Sequence, residues 1–351
     1  MKFPVLIVDN CLSSATGVRA VAEDLAEQLS AVGWPVLLTS RKVGRLQRFF
    51  DMLLSVWKWR GRYDVANVVV YSGLAFIWAE VICWMLRRLR KPYVLTLQGG
   101  NLPEFARKWP GRVSRLLRSA AVVTTPSRYL LEQLSQCREE MLLIPNPVNL
   151  GNYPFHLRRR PSPRIVWLRS FHTIYNPSLA PRVLSLLASE FPDIHLMMIG
   201  PDKGDGSAQA ARRIAQELKI EERVNFTGAI PKPEIPEWLN RGDIFLNTTN
   251  VDNTPVSVLE AMACGLCVVS TNVGGIPYLV DHQRDALLVT PDDAEAMASA
   301  VRRILTEPEL AASLSKQGRL KTEQLDWAVV IKQWERVLTD VVKRVGTVPR
   351  A

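Results

Sequence analysis

The chain has 351 residues, of which 47% are hydrophobic and 22% charged, which is long enough for two packed cores and too apolar for a disordered polymer. Its net charge of +10 is lopsided, because residues 1–155 carry 20 Lys/Arg against 11 Asp/Glu while residues 156–351 carry 24 against 23. The first half therefore suits an anionic membrane face or a phosphorylated substrate, and nucleic acid is set aside because no recognition module accompanies the charge.

Short β-branched runs punctuate the first half at 5–8, 36–39, 65–71, 93–97, 121–124 and 142–144, with helical patterns between them. Alternation of this kind predicts a parallel sheet covered on both faces. The apolar run from Val65 to Leu86 is long enough to suggest a membrane span. Ser72-Gly73 breaks it and Glu80 would lie inside the bilayer, so a buried strand followed by a buried helix is expected instead. After Pro145-Asn146-Pro147 and a Pro- and Arg-rich stretch ending at Pro163, the alternation restarts at 164–168, 195–200, 224–227, 244–247, 267–271 and 286–289. This predicts one α/β domain over 1–155, a second over 156–325 and a terminal helical segment, 326–351, packing back onto the first domain. The expected class is α/β, with two doubly wound Rossmann-like domains facing a central cleft.

The five cysteines are odd in number, scattered and set mostly in apolar runs, which reads as buried thiols in a reducing compartment, Cys264-Gly-Leu-Cys267 included. No signal-peptide layout opens the sequence, so a cytoplasmic location is expected.

The segment that carries chemistry runs from Asp252 to Gly265. Thr254 reads as an N-cap, Pro255 as the first helical residue and Gly265 as the stop. Free amides near Val256, Ser257 and Val258, with the positive end of the helix dipole, make a seat for a phosphate. The Ser257 hydroxyl is a further donor. Inside the helix, the Glu260 carboxylate suits a vicinal diol such as a ribose, and Asp252 in the preceding loop faces the other end of the ligand, with Asn253 beside it.

This pair of acids with seven residues between them resembles the Glu-x7-Glu motif of retaining GT-B glycosyltransferases of family 4. The likeness continues through the strand and glycine-pair loop Cys267–Pro277, and through Arg164–Arg169, a strand ending in the position of the family's diphosphate-binding arginine. The resemblance implies further contacts. Gly228 and Ile230 stand at the turn that holds the nucleobase, Asn176 lies in the loop after Arg169, and Gly17 matches the glycine-rich loop near the donor phosphates. Gln98, ending a strand, occupies a position that contacts the transferring sugar. Arg169, Asp252 and Gln98 are thus the expected catalytic residues.

The reaction that the resemblance implies is transfer from a UDP- or GDP-sugar to a saccharide or lipid-linked hydroxyl with retained configuration. No metal, and no cofactor beyond the nucleotide-sugar substrate, is expected. Four positions depart from the family: Asp252 stands for the first Glu, Gln98 for a frequent His, Tyr278 for a frequent acid, and Tyr175-Asn176-Pro177 fills the place of a Lys that commonly follows the arginine. They keep open a weak or inactive homologue acting as a binding partner; a nucleotide-sugar epimerase on the same fold is a further alternative.

Residues 41–62 hold seven Lys/Arg and one Asp, interleaved with Leu46, Phe50, Leu54, Trp57 and Trp59. A basic helix bearing aromatics suits a membrane interface, so peripheral attachment to an anionic inner membrane face is the corresponding expectation.

Overall fold

A computed structural model describes residues 2–13 and 20–346; Gly17 lies outside them. The chain forms two compact units, Met1–Asn146 with Trp327–Ala351, and Pro147–Asp326.

The first unit contains β1 (Val5–Val8), β2 (Val36–Thr39), β3 (Val65–Val70), β4 (Tyr93–Leu97), β5 (Val122–Thr125) and β6 (Leu142–Leu143), in the order β2-β1-β3-β4-β5-β6. Every pairing is parallel. Successive side chains of a strand point to opposite faces, and the core divides accordingly. Leu6, Val68 and Leu95 pack with Phe76, Ala79, Ile82 and Leu86 of the helix Leu74–Arg88. Val5, Ile7, Val65 and Val94 pack with Leu25 and Leu29 of the helix Val21–Ala31 and with Trp327, Val330, Trp334 and Leu338 of the terminal helix Trp327–Gly346.

The second unit contains β7 (Arg164–Leu168), β8 (His195–Ile199), β9 (Val224–Gly228), β10 (Ile244–Asn247), β11 (Cys267–Thr271) and β12 (Leu287–Val289). Their order is β12-β11-β10-β7-β8-β9, again all parallel. Apolar side chains fill both faces: Ile165 and Trp167 on one, Val166 and Phe245 on the other.

Each sheet grows outward in both directions from a central pair, β1 and β3 in one and β7 and β10 in the other. Loops leaving the carboxyl ends of such a pair diverge to opposite faces and open a crevice, the usual ligand position in this architecture. Asp9 and Tyr71 follow β1 and β3; Arg169 follows β7, and the loop leading to Asp252 follows β10.

The apolar run 65–86 becomes β3 and the helix Leu74–Arg88, separated by Gly73 at φ 71°. No helix of the described residues is long and apolar enough to cross a membrane. The expectation of a buried helix is corrected in one respect: Leu74, Ile77 and Trp84 remain exposed, because the sheet covers only the opposite side.

Candidate active site

Arg169 leaves the end of β7 with its backbone N–H bonded to the Ile199 carbonyl (3.0 Å), and its guanidinium pairs with the Asp252 carboxylate. The Tyr175 ring lies 4.1 Å below the guanidinium carbon. The side chain is only 16% exposed. Burial lowers its pKa from the usual arginine value, while Tyr175 and Glu260 pull the other way. Its Nε is buried without a hydrogen-bond partner. The residue that fills the place of the family's lysine thus contributes an aromatic platform for Arg169, a role that Tyr175 shows only once the loop is folded.

Asn176 follows in a left-handed conformation (φ 45°), and its Nδ2 donates to Asp292 Oδ1 at 3.0 Å. That side chain is engaged with the loop after β12. On the other side of β7, Gly200 ends β8 at φ 145° and donates its N–H to the Gly228 carbonyl (2.9 Å). A methyl group on Gly200 would lie 1.8 Å from the Arg169 carbonyl oxygen, so only glycine lets the ends of β7 and β8 come together beneath the arginine. Gly228, at φ 74°, and half-buried Ile230 lie at the adjoining end of β9.

The helix of the acid pair begins at Val256, so Pro255 is the cap residue and Thr254 lies one position outside it, which corrects the expected N-cap. Proline's fixed φ suits the extended cap geometry found here (φ −67°, ψ 114°), and no side chain caps the helix. The Val258 amide donates to the Pro255 carbonyl (3.2 Å), so the phosphate seat is narrower than expected. Of the first three amides of this helix, those of Val256 and Ser257 remain as the open donors. Ser257 Oγ is buried and without a hydrogen-bond partner. Asn253 and Thr254 are buried, and the Val258 side chain belongs to the core rather than to the site. The helix ends as expected at Gly265, in the left-handed region at φ 83°.

Glu260 is only 5% exposed at its side chain, and its Oε1 accepts from the Tyr153 hydroxyl (2.7 Å) and pairs with Lys232. The carboxylate therefore has its partners at one of its two oxygens. Sequence reasoning found neither Lys232 nor Tyr153. The only signal for them was general: a buried acid needs a partner.

The glycine pair lies directly behind the loop. A methyl on Gly274 would lie 2.1 Å from the Asp252 carbonyl oxygen, and one on Gly275 would lie 1.9 Å from that of Asn253. The pair lets the 272–275 turn pack directly behind Asp252, and the Gly275 N–H bonds to the Asp252 carbonyl at 3.0 Å. It supports the protein's own loop.

In the first unit, Gln98 follows β4 and its Nε2 donates to Asn146 Oδ1 (3.3 Å). Nearby on the same sheet edge, the buried Asp9 accepts from the Asn10 amide (2.7 Å) and the Tyr71 hydroxyl (3.4 Å), and burial pushes its carboxyl up to about 6. Sequence reasoning overlooked this acid because a lone Asp after a strand reads as a turn residue. The Cys264 and Cys267 thiols are buried and pushed up to about 12, so neither supplies thiolate near neutral pH. Among the described residues, no three His, Cys, Asp or Glu side chains cluster as metal ligands would.

Residues 156–321 match the family described as Glycosyl transferases group 1. An uncharacterized glycosyltransferase of Haemophilus influenzae is 28% identical over 159 residues, 45% of this chain and 43% of its own length. A GDP-mannose-dependent alpha-(1-6)-phosphatidylinositol monomannoside mannosyltransferase of Mycolicibacterium smegmatis is 31% identical over 160 residues, 44% of this chain and 40% of its own. The chain thus spans less than half the length of either relative. Sucrose-phosphate synthase from Thermosynechococcus elongatus superposes with a TM-score of 0.83 over 98% of this chain and 100% of that one, at 19% identity. The two six-stranded parallel sheets are those of the GT-B fold.

Proposed function

We propose that this chain transfers a sugar from a UDP- or GDP-linked donor to a hydroxyl group, a reading supported by the match of residues 156–321 to glycosyl transferases group 1 and by the GT-B fold. The acceptor is a saccharide or lipid-linked precursor of a surface polysaccharide or glycolipid, configuration is retained, and no metal takes part. One observation carries the reading. Arg169 lies at the central strand pair and meets the loop that opens the helix Val256–Cys264, and Arg169 Nε and Ser257 Oγ are buried without partners. An unsatisfied buried donor costs roughly 1–3 kcal/mol, a cost that an anionic ligand removes.

The chemistry follows from charge. As the bond to the sugar breaks, negative charge grows on the leaving diphosphate, where the guanidinium and the Val256 and Ser257 amides stabilise it. The acceptor oxygen attacks on the face the nucleotide leaves, and its proton passes to the departing phosphate oxygen. No protein base is needed in such a transfer, which suits Gln98, a side chain that hydrogen-bonds without titrating. The name of the mycobacterial relative, which specifies GDP-mannose and a phosphatidylinositol mannoside, supports this donor and acceptor class.

Calorimetry with UDP and GDP tests binding, and release of nucleotide from a panel of donors tests turnover. Binding with no release on any donor and acceptor would favour the partner-protein alternative. Glu260→Gln is expected to weaken nucleoside diphosphate binding about tenfold, the loss of roughly one charge-assisted hydrogen bond. Unchanged affinity would remove the ribose from this helix.

Membrane attachment rests on the first unit. The helix Arg45–Lys58 turns Met52 and Val56 inward and leaves Leu46 (73% exposed), Phe50, Leu54 and Trp57 outside. The Phe49 and Trp78 rings, 5.7 Å apart, join it to the helix Leu74–Arg88, which adds Leu74 (71% exposed), Ile77 and Trp84. Arg60 and Arg88 lie over the exposed Trp57 and Trp84 rings, 4.6 and 5.4 Å from their centroids. Two of the residues counted in the basic stretch are used inside: Arg48 bonds to the Lys42 and Val43 carbonyls, and Asp51 accepts from Ser40. An apolar face rimmed by cations fits an anionic bilayer. Co-sedimentation with phosphatidylglycerol vesicles should exceed that with phosphatidylcholine vesicles, and a Leu46→Glu/Leu54→Glu variant should stay in the supernatant. Equal sedimentation with both lipids would overturn the attachment.

A further inference from the structure

Lys232 is a cation that the transfer reading has not used. It opens a short 3-10 turn, Lys232–Glu234, four residues after Gly228, and the helix Ile235–Leu239 follows. Its side chain is 34% exposed, in contrast to the buried carboxylate of Glu260 with which it pairs. Glu260, which the ammonium group meets, lies four residues beyond Val256, about one helical turn, ~6 Å, along the axis from the start of the helix. A lysine carries a compact charge on a flexible four-carbon stem with three rotatable donors, which makes a shift of that size inexpensive.

Two ion pairs flank the start of this helix: Arg169 with Asp252, and Lys232 with Glu260. A nucleoside diphosphate sugar brings about two negative charges, and the helix end offers only about half a positive charge. Arg169 alone leaves the diphosphate under-neutralised, and the lysine expected in the loop after it is replaced by Tyr175-Asn176-Pro177. Glu260 keeps the Tyr153 hydroxyl at 2.7 Å when the lysine leaves, so its buried charge is not stranded.

We propose that Lys232 is a phosphate-binding residue of the donor site, held by Glu260 until a nucleoside diphosphate arrives and then turning its Nζ to the diphosphate. The movement leaves Tyr153 as the one partner on Glu260 Oε1 and opens that oxygen's second lone pair to a ribose hydroxyl, so phosphate and sugar recognition are coupled through one ion pair. The loop after β9 thereby supplies the second positive charge that the loop after β7 lacks. This inference rests on the donor-site reading of the second unit.

The test compares Lys232→Met, Lys232→Arg and the unaltered chain. UDP and GDP binding is measured by calorimetry over a range of salt, and uridine and guanosine binding by ligand-observed NMR. A direct phosphate contact predicts that Lys232→Met weakens diphosphate binding at least about tenfold, leaves nucleoside binding within about twofold and reduces the salt dependence, with Lys232→Arg in between. If Lys232 only neutralises Glu260, the nucleoside and its diphosphate weaken by the same factor, and the proposal is overturned. An unaltered chain that binds neither diphosphate overturns the donor-site reading as well, which separates the two failures. Thermal unfolding of each variant confirms that the half-exposed position tolerates the change.

Discussion

Arg169→Ala is expected to reduce kcat about 100- to 1000-fold, the scale found when one preorganised donor to a developing oxyanion is removed. The guanidinium is fixed at the central strand pair, held from beneath by the Tyr175 ring and at its side by Asp252. Its charge acts where water is scarce, so the bulk dielectric does not replace it. Arg169→Lys keeps the charge but loses the planar fork and the stacking on Tyr175, and should recover only part of the rate. Because the leaving group becomes more negative as the bond breaks, the defect should fall more on kcat than on KM. A kcat within a factor of about three of the unaltered chain, with folding intact, would sink the assignment of the leaving-group site to this loop.

Gly275→Ala is expected to destabilise the protein by about 2–4 kcal/mol or to move the Asp252 loop and abolish nucleotide binding. The new methyl would lie 1.9 Å from the Asn253 carbonyl oxygen and 2.8 Å from its carbon. Both atoms are backbone, so no side-chain rotation relieves the overlap. Gly200→Ala should behave alike on the Arg169 side, where the overlap is with the Arg169 carbonyl and φ is already 145°. Gly111→Ala is the control, since nothing lies within 4 Å of its added methyl, and it should leave stability within about 0.5 kcal/mol. Thermal unfolding and nucleotide calorimetry on the three variants check the order. A Gly275→Ala protein with unaltered melting temperature and affinity would mean that the 272–275 turn does not support the loop as described.

The largest gap between sequence and structure concerns partners rather than elements. Asp252 and Glu260 are legible as acids at the two ends of a helix start, but their partners, Arg169 and Lys232, lie 83 and 28 residues away in the chain. Nothing in the local pattern at 232 marks a lysine as functional, because an exposed lysine after a turn is ordinary. The glycine pair is legible as a turn but its packing is not, for a similar reason: what a missing methyl makes room for depends on which backbone lies opposite. Thr254 is misplaced by one residue because both Thr-Pro and Pro-Val are reasonable helix starts, and the choice rests on cap geometry.

Residue patterns sufficed for the elements and the kind of sheet. Runs such as Val5–Val8 and Ile244–Asn247 are apolar at nearly every position, which only a strand buried on both faces requires, and the helix from Val256 carries its own start and its own stop at Gly265. These are local signals, set by side-chain spacing and backbone φ. It took the folded chain to place β7 beside β10, and hence to bring Arg169 to Asp252. Folding likewise set Glu260 against Lys232 and turned the apolar stripe of the helix Arg45–Lys58 outward. Strand order and the exposed side of a helix depend on how distant segments share a core, and no window of the sequence contains that information.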